Sequence, residues 1–385
     1  MRKLLIVPLL ALELLAFAGP GGLRDNCREV EELLVVQTMG LDESDNGVTL
    51  SLAAAGDEEH GVARLRADGA SISAAMDRIR GYSYEEELFS AHVGRLLLGE
   101  KAAEQGVESA LAYISRSPAL RLDMPLFIVR GGRAEDAVMK VGSADRGICD
   151  VMRIVEQEVQ RRGESGLTTA AEVLCATARN GSALVCALQP GPASETLDGA
   201  ASGGEGEDKN APLSVAPAGY AVLREGRLCR WLTEEQGVAV GFLKNRVGVS
   251  SVELKDRHGS TAVLELNGGG SRITPVWEGG TLRGLRVQCD ARACILELGG
   301  RGALRGTQDT DYLTAQLEAT LSGWLRETLQ ASKELKADFL GLSEIVERSD
   351  PKAYRALGRD FVDLLPDLGL EISVRARLSE LKDMK

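Results

Sequence analysis

The side chains best suited to chemistry in this 385-residue sequence are three histidines, His60, His92 and His258, and seven cysteines at 27, 149, 175, 186, 229, 289 and 294. A metal needs soft or imidazole ligands clustered at short spacing, and none of these groups has a partner at such spacing, so no metal site is expected. The odd number of cysteines, spread along a long chain, does not describe a disulfide framework. Cys289 and Cys294 lie five apart, which on a strand sets them on opposite faces, and both read as buried apolar residues. Catalysis needs a nucleophile, a proton carrier and a charge stabiliser held together. The phosphate-binding loop, the zinc-protease helix and the Gly-x-Ser-x-Gly elbow are all missing. Gly300-Arg301-Gly302 opens like a dinucleotide loop, but Arg305 stands where the third glycine belongs, so it reads as a turn. His92, beside an apolar run, is the best lone candidate for a chemical role. Its simpler reading is a hydrogen bond at a strand end. The residues therefore point to no catalytic site, no cofactor and no enzyme.

The elements that must carry these residues divide in two. Leu33 to Met39 and Val48 to Ala55 are strand-length apolar runs joined by a polar turn ending in Asn46-Gly47, a hairpin. Ile72, Ala75, Met76 and Ile79 recur at three and four, one face of a helix over 71–79. Val93 to Leu98 reads as a buried strand, 100–105 and 107–115 as helices broken at Gly106, and Pro125 to Arg130 as another strand. Thr169-Ala170-Ala171-Glu172 is a capping box, so 173–179 is read as helix ended by Asn180-Gly181. The rival reading is a hairpin that sets Cys175 opposite Cys186. Residues 191–213, rich in Gly, Ser and acidic groups, read as a flexible linker.

Beyond it, short strands are expected at 220–224, 227–232, 249–255, 262–267, 272–278, 283–289 and 293–298, linked by turns such as Gly268 to Gly270 and Gly279-Gly280. A long helix from Thr310 to Leu335 follows, with Asp309 or Thr310 as N-cap and Leu313, Leu317, Leu321, Trp324, Leu325 and Thr328 on its core face. Asp350-Pro351 starts a short helix and 370–378 closes as a strand. The fold class is α+β: an N-terminal mixed α/β region, then a C-terminal antiparallel sheet packed on a long helix.

Composition bounds the partners. Asp and Glu number 57 against 45 Lys and Arg, for a net charge of −12. That charge disfavours nucleic acid, and no basic run offsets it. Asp57-Glu58-Glu59 and Glu85-Glu86-Glu87 read as solvated faces. The N-terminus carries Arg2 and Lys3, an apolar run to Ala18 and then Gly19-Pro20, a signal-peptide layout with cleavage expected between Ala18 and Gly19. A retained anchor is the alternative, although 15 residues fall short of the roughly 20 that span a bilayer.

Four stretches together resemble the Ger(x)C family, the C subunits of spore germinant receptors. They are Glu29 to Leu33 with Gln37 to Asp42; Ala91 to Gly106 with Ser115 to Pro118, Arg121 and Gly131 to Ala134; Gly219 to Leu223 with Leu228 and Trp231 to Gly237; and Ala337 to Leu342 with Pro351 and Tyr354. The resemblance implies a spore germination N-terminal domain over 27–190 and a C-terminal Ger(x)C domain over 214–385, with 1–18 as signal peptide. It implies a non-catalytic subunit on the outer face of the spore inner membrane, acting with membrane A and B subunits in the response to nutrient germinants. Family members carry a lipid on a cysteine that follows small residues. Here Arg24-Asp25-Asn26 precede Cys27, a context that a lipoprotein signal peptidase rejects, which leaves attachment to the N-terminal run or the partner subunits. A secreted solute-binding protein, with two lobes around a polar cleft, is the rival function.

Overall fold

The computed structural model describes residues 33–54, 62–82, 87–142, 147–192, 213–299, 307–358 and 360–379. Ala18, Gly19, Cys27, His60, the acidic cluster 57–59 and the Gly300 turn lie outside them.

The first sheet begins with the expected hairpin, β1 (Leu33–Ser44) and β2 (Gly47–Ala54), followed by β3 (Arg64–Gly69) and helix α1 (Ile72–Tyr82). The buried residues of α1 are Ile72, Ala75, Met76 and Ile79, the face that the periodicity predicts. Next come β4 (Glu87–Phe89), β5 (Arg95–Gly99), α2 (Glu100–Gln105), α3 (Glu108–Arg116), β6 (Leu126–Val129), α4 (Ala134–Lys140), α5 (Ile148–Arg161), α6 (Ala170–Asn180) and β7 (Ser182–Pro192). Helix α6 has both signalled ends: the Thr169–Glu172 capping box closes its start, and Gly181, at φ 65°, ends it. The rival hairpin is excluded, because Cys186 sits in β7 opposite Phe127 of β6 and Tyr220 of the next strand.

The strands after the acidic segment depart from expectation. β8 (Leu213–Arg224) and β9 (Arg227–Trp231) do not open the second sheet; they extend the first, whose order is β3-β2-β1-β5-β6-β7-β8-β9, with β4 beside the start of β1. Of the expected linker, residues 191, 192 and 213 belong to the paired ends of β7 and β8, and 193–212 lie outside the described residues. Sheet membership here is decided by apolar partners distant in sequence: Ala221 and Leu223 pack with Val185, Leu126 and the helices α1 and α3.

The second body starts at α7 (Glu234–Leu243), then β10 (Ser250–Lys255), β11 (Thr261–Glu278), β12 (Thr281–Leu298), α8 (Thr307–Leu335), α9 (Leu342–Ser349), α10 (Pro351–Arg355) and β13 (Gly369–Ser379). The sheet β10-β11-β12 is antiparallel and packs on α8, as expected, with β13 added in parallel along β12. Leu313, Leu317, Leu321, Leu325 and Thr328 of α8 are all buried. The helix starts at Thr307, so Asp309 and Thr310 lie inside its first turn and neither is the N-cap. Gly268 to Gly270 is no turn. It is a bulge inside one 18-residue strand, where register shifts between Leu266 and Gly268. Gly269 holds φ +136°, and a Cβ there would meet the Asp290 carbonyl oxygen at 2.1 Å and the Phe242 ring at 2.9 Å. Past the end of β10 the free edge of β11 is capped by Asn245, which accepts from the Ser271 amide and donates to its carbonyl.

Candidate functional site

Two clefts are each lined by a buried carboxylate, Asp42 in one and Asp338 in the other. The first lies at the carboxyl ends of the parallel strands β1, β5 and β6. After β5 the chain turns to the sheet face covered by α1 and α3, and after β6 to the opposite face covered by α4 and α5. Such a reversal opens a crevice beyond the strand ends. It holds about 470 Å³ and is lined by Asp42, Glu100, Gly132 and Arg133 among others. Asp42, at the end of β1, is buried, and its two oxygens accept from the amides of Ala134 (2.9 Å) and Glu135 (2.7 Å) at the start of α4. Burial pushes its carboxyl above the ordinary value, and the two amides and Arg133 hold it back only in part. Gly99 must be glycine here, because a Cβ would stand 2.0 Å from the Asp42 carboxylate.

Glu100, one residue on, ties three elements. It accepts from the Gly131 amide after β6 and, at 3.2 Å, from the indole Nε1 of Trp231 at the end of β9. The Arg130 guanidinium lies 5.4 Å from the centre of the same indole ring, a cation–π contact. The β8–β9 turn is locked down alongside, where the Val107 amide donates to the Gly226 carbonyl at 2.9 Å.

The second place is a cleft of about 820 Å³ between α6, β7 and β8 on one side and the end of α7 and residues 338–349 on the other. Asp338, almost wholly buried, accepts from the amides of Leu342 (2.6 Å) and Ser343 (2.8 Å) and so caps α9 across Gly341, which adopts φ +75°. Burial raises its carboxyl above the ordinary range. Ser343 in turn donates to Asn180 at the end of α6 (3.2 Å), Arg179 pairs with Glu344 (3.3 Å) and Arg246 with Glu172 (3.8 Å). Lys244, the C-cap residue just past α7, lines the cleft. Crowding by protein and the nearby Arg246 hold its ammonium below the ordinary lysine value, against the opposing pull of Asp338, Glu344 and Glu172.

His92 is in neither place. It is exposed in the turn before β5, and its ring centre lies 5.5 Å from that of Phe89; this ring contact, not a strand-end hydrogen bond, is what the structure shows for it. His258 Nε2 lies 4.0 Å from Asp309 at the start of α8. Cys149, Cys186, Cys289 and Cys294 are buried thiols, and Cys175 and Cys229 are exposed ones. Cys289 faces the α8 core and Cys294 the other side of the sheet, 3.9 Å from Glu265. Among the described residues no group of three His, Cys, Asp or Glu is placed to hold a metal ion.

Residues 26–161 match the spore germination protein N-terminal domain, and residues 218–381 match the spore germination B3/GerAC-like C-terminal domain. The chain belongs to the Ger(x)C family of spore germination proteins. Its fold is similar to the crystal structure of the GerBC protein, with a TM-score of 0.55 at 14% identity over 88% of this chain and 96% of that one. No curated protein matches the chain in sequence. The stretches that carry the Ger(x)C resemblance meet in space: Asp42, Glu100, Gly131 to Ala134 and Trp231 build the crevice, and Asp338 to Leu342 build the cleft. In this Ger(x)C chain Asp42, Glu100 and Asp338 of those stretches are engaged with backbone amides and an indole. They fix the corner between β1, β5, β6 and β9 and the joint between the two sheets.

Proposed function

We propose that this chain is the non-catalytic C subunit of a nutrient germinant receptor, and that it supports the germination response through contacts with membrane A and B subunits. The observation that carries the reading is the pair of Ger(x)C domain matches, in order, over both halves of the chain. The geometry is consistent with it: the buried carboxylates of the crevice and the cleft, Asp42 and Asp338, and the half-buried Glu100 beside Asp42 are committed to holding elements together. In this reading the chain is exported through its N-terminal run, with processing between Ala18 and Gly19, and lies on the outer face of the spore inner membrane. Attachment there does not require lipid on Cys27. Deletion in the native spore former should abolish germination through one receptor, and the protein should co-purify with the membrane subunits. An unchanged germination response in the deletion strain refutes the assignment. A second reading, a solute-binding protein, is favoured by the cleft at Lys244. Thermal stabilisation of the isolated protein by amino acids, sugars or nucleosides would support that reading instead.

A further inference from the structure

The sheet β10–β13 packs one face on α8 and turns the other outward. Strand register lines up the outward residues in rows. Arg272 lies beside Gln288 and Ser373, Gly270 beside Asp290 and Arg375, and Gly268 beside Arg292 and Arg377. Arg272, Arg292, Arg375 and Arg377 are exposed, and among the described residues their side chains make no ion pair or hydrogen bond. Asp290 is the single carboxylate in these three rows; in the next row Arg286 pairs with Glu371 at 2.7 Å.

Arg292 directly opposite Arg377 is a like-charge pair on neighbouring strands, an arrangement that costs stability unless an anion joins it. Gly268 lets Arg292 lie across the sheet, since a Cβ there would touch its guanidinium at 2.5 Å. The exposed side chains between the arginines, Gln288 and Ser373, are uncharged, so the guanidiniums and Asp290 are the charged groups of these rows. Neighbouring rows stand about 7 Å apart along the strands and neighbouring strands about 4.8 Å apart. This is a cationic array spread over three strands, on a chain whose net charge is −12.

We propose that this sheet face binds an anionic phospholipid surface and so sets which side of the chain lies against the membrane. The proposal rests on the membrane association put forward above, and adds the contact surface. Guanidinium groups suit phosphate through paired N–H donors, and basic residues near an anionic bilayer each add to the binding while salt screens them.

The test is co-sedimentation of the full chain with vesicles of phosphatidylcholine alone or mixed with phosphatidylglycerol, at low and high salt. Wild type should bind the anionic vesicles more tightly, with the excess lost in high salt. The variant R272Q/R292Q/R375Q/R377Q should lose that excess by roughly tenfold or more, with its thermal midpoint unchanged or raised. Neutralising the same number of exposed arginines elsewhere, in R80Q/R116Q/R153Q/R326Q, should leave most of it. Binding to neutral vesicles, which the apolar N-terminal run would give, should be the same in all three proteins. Equal binding of both vesicle types by wild type, or equal loss in both variants, overturns the proposal. So does binding of an acidic polypeptide by this face without any preference for anionic vesicles. None of these outcomes touches the receptor assignment, which the deletion strain tests separately.

Discussion

Replacing Asp42 with alanine should loosen the corner at the carboxyl ends of β1, β5 and β6. The carboxylate accepts two amide hydrogen bonds at 2.9 and 2.7 Å, and bonds to a charged acceptor contribute about 1.5–3 kcal/mol each. Against that gross loss stands the desolvation of a buried carboxylate, relieved when the side chain is removed. The net cost is expected at about 2–4 kcal/mol. Asp42→Asn keeps one carbonyl acceptor but turns its NH₂ toward the second amide, for a cost of about 1–3 kcal/mol. The two substitutions also separate charge from shape. Burial raises the folded-state value of Asp42, so the folded protein keeps a proton that the unfolded chain releases near pH ~3.9. The contribution of Asp42 is then most favourable below the unfolded value and declines as pH climbs through the raised folded value. Urea unfolding at a series of pH values, followed by Trp231 fluorescence in a W277F/W324F background, measures both effects. The stability gap between wild type and Asp42→Asn should narrow with rising pH across that window. A gap that stays flat, or an Asp42→Ala cost below about 0.5 kcal/mol, would refute the structural role given to this carboxylate.

Gly269→Ala should cost about 2–4 kcal/mol, from the positive φ and the contact with the Asp290 carbonyl, read as a fall in the calorimetric midpoint; an unchanged midpoint would mean that the bulge tolerates a side chain. Thr233→Ala removes the reciprocal Thr233–Gln236 cap of α7 and should cost about 0.5–2 kcal/mol in urea unfolding, whereas no change would show that burial alone holds this helix. Composition makes 193–212 the expected site of first proteolysis. Because β7 and β8 pair from Ser182–Arg224 to Pro192–Leu213, the two fragments should co-elute under native conditions and separate only in denaturant; separation without denaturant would show that the pairing does not hold the halves together.

What could be read from the sequence was set by how local its cause is. The hairpin at 33–54, helix α1, the break at Gly106 and helix α6 each carry their signal within a few residues, as turn, period or cap. Helix α7 carries the same kind of cap, Thr233 to Gln236, but no apolar period to go with it. Its residues 237 to 243 are all buried, so no apolar stripe stands out against a polar face. Gly268 to Gly270 misled for a different reason: three glycines signal a turn and a bulge equally well, and only the approach of Phe242 and Asp290 decides between them. The candidate site was visible in pieces. Asp42, Glu100, Gly131 to Ala134 and Trp231 all stand within the resemblance stretches, but no local pattern sets Asp42 and Glu100 apart from other acids until the topology brings amides and an indole to them.

The arginine face shows the same limit in sharper form. A basic patch is visible in sequence as a run only where one segment carries it. On a sheet, alternate residues share a face and each strand supplies one or two of them. Arg272 comes from β11, Arg292 from β12, and Arg375 and Arg377 from β13. The intervening residues Val374 and Ala376 pack instead against the core. The absence of a basic run therefore bore on extended basic arms and not on sheet surfaces. In an acidic chain, net charge describes the field beyond a Debye length of about 8–10 Å; closer in, three adjacent rows of this sheet carry four arginines that make no ion pair among the described residues.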